Sequence, residues 1–151
     1  MTIKYSAPAP FRANAHGLAP VKRPSDTATF EEYLNYYLER RNWSQSRLAA
    51  CARISQPQIN KIINGKINNI EVDILICICL ALQLSTKESV DLLARASRAI
   101  SPASICYHAY YELIDIYSKK EIVSDKIDDF LSDADEYLKK RKLPRLPSYK
   151  K

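Results

Sequence analysis

Residues 44–66, SQSRLAACARISQPQINKIINGK, cannot form one continuous helix, and that restricts the fold of the whole chain. Ser55, with Gln58 three residues on, reads as an N-cap and capping box. Pro57 falls inside the first turn of the helix so opened, where its missing N–H costs nothing. Gly65 stands where a left-handed residue closes a helix. Upstream, Leu48, Ala49 and Ala52 make one small apolar face; downstream, Ile59 and Ile62 recur at i and i+3, with Ile54 between the two groups. The spacing predicts two short helices, over 45–52 and 56–63, joined by a tight turn. From residue 40 to residue 70 there are six basic residues, Arg40, Arg41, Arg47, Arg53, Lys61 and Lys66, and no Asp or Glu. A basic, acid-free segment is suited to approach the line of phosphates on a nucleic acid.

The flanks read as helices that hold this pair. Thr29 with Glu32 forms a capping box for a first helix to about Arg41, and Phe30, Tyr33, Leu34, Tyr37 and Leu38 give it one apolar face to clamp the pair from behind. Trp43 is expected to plug the junction as a core residue, not to stack on a base. Asn69 is the expected N-cap of a fourth helix over 70–82, apolar nearly all round (Ile70, Val72, Ile74, Leu75, Ile76, Ile78, Leu80) and therefore buried on several sides. Ser85 with Glu88 opens a fifth, carrying Val90, Leu92, Leu93 and Ala94. Ser101-Pro102 is expected to cap a sixth over 103–119, with Ile105, Ala109, Leu113 and Ile116 and four tyrosines spread around it. Ser124 is the expected cap of a seventh with Ile127, Phe130, Leu131, Ala134, Tyr137 and Leu138 as its stripe. Its acidic first half and basic end match the helix dipole, which is enough to explain the basic run from Lys139 to Lys142. Prolines in LPRLPSYKK keep the tail extended.

The residues Leu48-Ala49, Ala52, Ile54-Ser55, Ile59, Ile62 and Asn64-Gly65-Lys66 stand at the spacing of the Xre-type helix-turn-helix proteins, the class of phage repressors and Cro-like regulators, which the chain resembles over roughly residues 30–94. Two positions depart from that pattern. Arg53 replaces the usual turn glycine, at a cost to a backbone with positive φ. Leu38 and Ile63 stand where the family often pairs an Arg with a Glu; an apolar pair replaces a buried ion pair at little cost, so the fold is expected to survive. The resemblance implies that the 56–63 helix enters the major groove, with Gln56, Pro57 and Lys61 at base-contacting positions. Asn60 joins them by spacing: i, i+4 places 56 above 60 and 57 above 61. Gln and Asn can bond adenine and Lys can reach guanine acceptors, whereas Pro57 offers only an apolar contact. Ser44, Gln45, Asn64 and Lys66 match positions that grip the phosphate backbone, the first two at a helix N-terminus whose free N–H groups attract anions. Gln58 is a further candidate, shared with its capping role.

The expected fold class is all-α: a disordered basic arm over 1–28, a five-helix repressor-like helix-turn-helix domain over 29–100, a two-helix extension over 101–142 and an extended tail over 143–151. The arm's Lys4, Arg12, Lys22 and Arg23 could track a DNA backbone, though a solvated tail explains them as well. Two glycines and no alternating pattern argue against strands. No apolar run approaches a membrane span and the start lacks a signal-peptide core, so a cytoplasmic protein is expected. Cys77 and Cys79 point to nearly opposite sides of a helix with no histidine near, which favours buried thiols over a metal site. His16 and His108 have no nucleophile or metal-ligand spacing around them, and neither an enzyme nor a cofactor is implied. Double-stranded DNA is the expected partner, bound sequence-specifically by a bacterial or phage transcriptional regulator of repressor type. The rival is a protein-interaction module or antitoxin-like regulator whose C-terminal helices bind a partner protein. Family members usually act as dimers on half-sites one turn apart; the tyrosine-rich sixth and seventh helices either make that homodimer contact or complete the monomer core.

Overall fold

Each helix of the chain begins and ends at an identifiable residue. The computed structural model describes residues 21–121 and 129–149, and within them seven α-helices and no strand. Helix α1 (Phe30–Arg41) starts in the expected capping box, with Thr29 and Glu32 exchanging bonds of 2.9 and 3.1 Å, and stops at left-handed Asn42. Helix α2 (Gln45–Ala52) is capped by Ser44, which accepts from the Arg47 N–H at 3.1 Å. Helix α3 (Gln56–Ile63) is capped by Ser55 alone: its hydroxyl accepts the Gln58 N–H at 3.3 Å, and the return bond from the Gln58 side chain is not made. Gly65 closes α3 with φ +69°, letting the Lys66 N–H reach back to the Lys61 carbonyl at 2.8 Å. That six-to-one bond, with a glycine in the left-handed region, is the expected stop.

Helix α4 (Val72–Ala81) starts later than the sequence suggests. Asn69 is not its N-cap: it takes φ +57° in the loop, and Glu71 occupies the cap position without a side-chain bond. Seven consecutive residues, from Leu75 through Ala81, are buried, because α4 packs against α2 and against two later helices, α5 (Thr86–Arg95) and α6 (Ile105–Ser118). Helix α1 lies across α3 and α5, so it does back the helix pair. Leu38 and Ile63 are both buried in the core, as expected of an apolar pair. On α5 the buried residues are Ser89, Leu92 and Leu93, while Val90 and Ala94 turn out to solvent.

Helix α6 is rotated and shifted from its expected course. Its cap is Ser104, accepting from the Tyr107 N–H at 3.2 Å, whereas Ser101 serves the turn before it. The buried stripe is Ala109, Tyr110, Leu113, Ile114 and Tyr117, leaving Ile105 78% exposed and Ile116 42% exposed. Helix α7 (Ser132–Lys140) buries Ala134 and Leu138, with Leu131 just before it also buried. Ser124 and Ile127 lie outside the described residues. The start of α7 is held by a tyrosine from another helix: the Tyr117 hydroxyl donates to the Phe130 carbonyl at 2.8 Å and accepts the Ala134 N–H at 3.1 Å. A single hydrophobic cluster runs from Phe30 to Leu146, so α6, α7 and the tail share their core with the first five helices.

The expected N-terminal arm lies outside the described residues up to residue 20. The stretch leading into α1 is pinned. Arg95 donates to the carbonyls of Asp26 and Ala28 at 2.7 and 2.8 Å while lying 3.8 Å over the Tyr33 ring, and Tyr33 donates to the Pro24 carbonyl at 3.0 Å. No helix of the described residues is long and apolar enough to cross a membrane.

Candidate nucleic-acid interface

The two faces of α3 divide cleanly. Ile59, Ile62 and Ile63 are buried against the core, and Gln56, Pro57, Asn60 and Lys61 are exposed together on the opposite side. Two side-chain bonds pre-orient this outer face. Gln56 Nε2 donates to Ser46 Oγ at 2.9 Å, tying the first residue of α3 to the first turn of α2. Asn64 Nδ2 donates to Asn60 Oδ1 at 3.2 Å, a turn apart on the same helix. The first bond sets Gln56 against the first turn of α2, the turn that exposed Ser44 and half-buried Gln45 open. Asn64 and Lys66 follow the far end of α3, both exposed. Gln58 is half-buried and does not share the face of the other candidates.

Ser46 was not singled out from the sequence, since its role depends on a contact ten residues away. The six basic residues also separate in space. Arg40 forms a two-bond pair with Glu88 at 2.8 and 3.3 Å, and lies over the rings of Tyr36 and Tyr37. Arg41 donates to the Leu82 carbonyl and Gln83 Oε1 at 3.1 and 3.2 Å. Arg41 and Arg47 lie 4.8 and 5.2 Å over the half-buried ring of Trp43, which is thus a packing residue. Arg53 pairs with Asp135. The acid-free stretch is therefore not an acid-free surface: the fold returns carboxylates from α5 and α7 to it. Lys61 and Lys66 remain exposed, with no acid paired to them among the described residues.

Arg53 occupies the turn between α2 and α3 with φ +58°, where its side chain cannot avoid a backbone cost. Its guanidinium donates to both oxygens of Asp135 on α7 at 2.6 and 3.1 Å and to the Leu146 carbonyl at 3.2 Å. Burial works against its charge, but the bonds and charge of Asp135 outweigh it and hold its pKa above the ordinary value. Leu146 N–H donates to Asp135 Oδ1 at 3.2 Å, and the Tyr149 N–H donates to the Arg53 carbonyl at 3.1 Å. The residue that replaces the family's glycine thus ties the turn to the C-terminal extension.

Cys51, Cys77 and Cys79 are buried free thiols, each pushed up to about 12 by burial, and the described residues hold no cluster of three or more His, Cys, Asp or Glu placed to bind a metal.

Two helices joined by a three-residue turn, the second with one polar exposed face and a capped N-terminus beside the first, is the geometry of a helix-turn-helix. Residues 33–90 match the family model of the Cro/C1-type HTH DNA-binding domain. The match runs from within α1 to within α5 and includes every candidate contact residue, whereas Asp135 and the tail lie beyond it. No curated protein and no solved structure matches the chain. The match thus spans α2, α3 and α4 with parts of α1 and α5, and α6, α7 and the tail lie beyond it.

Proposed function

We propose that the protein is a sequence-specific regulator of transcription, of repressor type, that reads double-stranded DNA by laying α3 in the major groove. The observation that carries this reading is the exposed, pre-oriented face of Gln56, Pro57, Asn60 and Lys61 within the Cro/C1-type match. In this role Gln56 and Asn60 bond base edges, Lys61 reaches a guanine acceptor and Pro57 touches a thymine methyl. Ser44 and Gln45 at the start of α2, and Asn64 and Lys66 after α3, grip phosphates on either side. Packing of α6 on α4 and α5 supports the extension as part of the monomer core. Pairing of two copies through α6 would rest on Ile105 and Ile116, its exposed apolar residues.

The test is fluorescence anisotropy with duplex DNA from upstream of the protein's own gene and with a scrambled duplex, across a salt series. The protein binds the upstream duplex preferentially. Gln56→Ala loses that preference by about 1–3 kcal/mol. Lys66→Ala weakens binding to both duplexes and flattens the logarithmic salt dependence by about 0.9. Equal losses on both duplexes for both variants would defeat the assignment of roles.

A further inference from the structure

We infer that the C-terminal strap, residues 143–149, carries a second DNA contact, in which Tyr149 and Arg145 meet the phosphate backbone beside the N-terminus of α3. This rests on the DNA-binding reading above and adds a surface that lies outside the Cro/C1-type match.

Position comes first. The strap leaves α7 in extended form and is fixed against the helix-turn-helix. Leu146 is buried; its carbonyl accepts from Arg53 and the Tyr149 N–H bonds the Arg53 carbonyl, two bonds to the one turn residue, while the Leu146 N–H holds the strap to Asp135 of α7. Arg53 lies two residues before Ser55, the cap of α3, so the strap arrives at the turn that feeds the recognition helix. In the proposed docking that turn lies where the duplex backbone enters the groove.

Chemistry comes second. Tyr149 is 53% exposed even though its backbone is tied down, and a phenol O–H is a good donor to a phosphate oxygen. Arg145 is 63% exposed. Its contact to Asp135, at 3.6 Å, is a loose one to a carboxylate already engaged by Arg53 and the Leu146 N–H. The helix dipole explains Lys139 to Lys142, in the last turn of α7 and just past it, but not Arg145, which lies further along the strap. Lys139, Lys140, Arg141 and Lys142, which precede the strap in the chain, are all exposed and add positive charge beside it, suited to a polyanion in the proposed complex. The charges that Arg40, Arg41 and Arg53 give up to internal partners are in this way replaced from the extension.

The experiment uses the full chain and a labelled mixed-sequence duplex, since phosphate contacts need no particular sequence. Tyr149→Phe removes only the hydroxyl, and Arg145→Gln removes only the charge. The expected result is binding roughly three- to tenfold weaker for Tyr149→Phe with an unchanged salt slope, because no charge is lost. For Arg145→Gln, the slope becomes shallower by about 0.9. Thermal melts that match the unaltered protein confirm that the strap is still docked. Folded variants with unchanged affinity and unchanged slope would overturn the inference and leave the strap as a clamp. An unaltered protein that binds no duplex even at low salt would instead overturn the DNA-binding reading on which the inference rests.

Discussion

Replacing Asp135 by Asn should loosen the C-terminal extension from the helix-turn-helix. The side chain keeps its shape but loses its charge, leaving the Arg53 guanidinium without the carboxylate that holds it at 2.6 Å. Removing one partner of a fully buried pair costs about 3–5 kcal/mol. Here the side chains of Arg53 and Asp135 remain 12% and 19% exposed, and Arg53 keeps its bond to the Leu146 carbonyl. Solvent and that remaining bond reduce the expected cost to about 2–3 kcal/mol. In a chain of this size that is a drop in melting temperature of roughly 4–12 °C. Arg53→Gly loses the same pair but relieves the left-handed backbone, so it should be milder than Arg53→Ala by about 1 kcal/mol. Urea denaturation followed by circular dichroism, on both single variants and on Arg53→Gly combined with Asp135→Asn, gives a coupling energy of about 1–2 kcal/mol. A cost below about 0.5 kcal/mol for Asp135→Asn would refute the argument, because it is the range of an ordinary surface substitution. Equal stabilities for Arg53→Gly and Arg53→Ala would refute the backbone part of it.

Three further outcomes follow from particular residues. Burial alone would raise the pKa of Glu88, but Arg40 and the bonds from Ser85 hold it below its ordinary 4.5. Its contribution to stability is therefore present above 4.5 and lost as pH falls through the depressed folded value, and Glu88→Gln should remove that part of the acid dependence in urea titrations at successive pH values. Iodoacetamide on the folded protein at pH 8 should label half-buried Cys106 first, with Cys51, Cys77 and Cys79 reacting only on unfolding; equal labelling of Cys77 and Cys106, read by mass spectrometry, would contradict the described packing. Gly65→Ala should cost about 1 kcal/mol in chemical denaturation. The added Cβ meets the Glu31 side chain at an ordinary 3.6 Å, so the cost comes from the φ of +69° and not from a clash.

Local chemistry made much of this fold legible in advance. Caps at Thr29, Ser55 and Ser85, the stop at Gly65 and the period of the apolar residues fixed helices α1, α2, α3 and the start of α5, because each is decided by neighbours within four residues. The same periodicity fixed which face of α3 turns outward, and so brought Gln56, Pro57, Asn60 and Lys61 together as candidates. Where the signal was not periodic the reading slipped. Helix α6 carries apolar and tyrosine residues on several sides, and the choice of Tyr110, Ile114 and Tyr117 over Ile105 and Ile116 was made by what α4 and α5 present to it.

What the sequence alone determined is the helix-turn-helix and the identity of its outer face, since capping, turn and amphipathic pattern are short-range properties of the chain. Only the tertiary structure decided the charge that face retains and the role of the extension. An ion pair between Arg53 and Asp135 spans 82 residues of sequence, and the bonds that hold Gln56 to Ser46 and α7 to Tyr117 depend equally on helices meeting in space. Capping and periodic patterns, which act within about four residues, carry no sign of such a contact. The one local sign was an arginine in a turn that favours glycine, and its compensation lies in a carboxylate that only folding brings near.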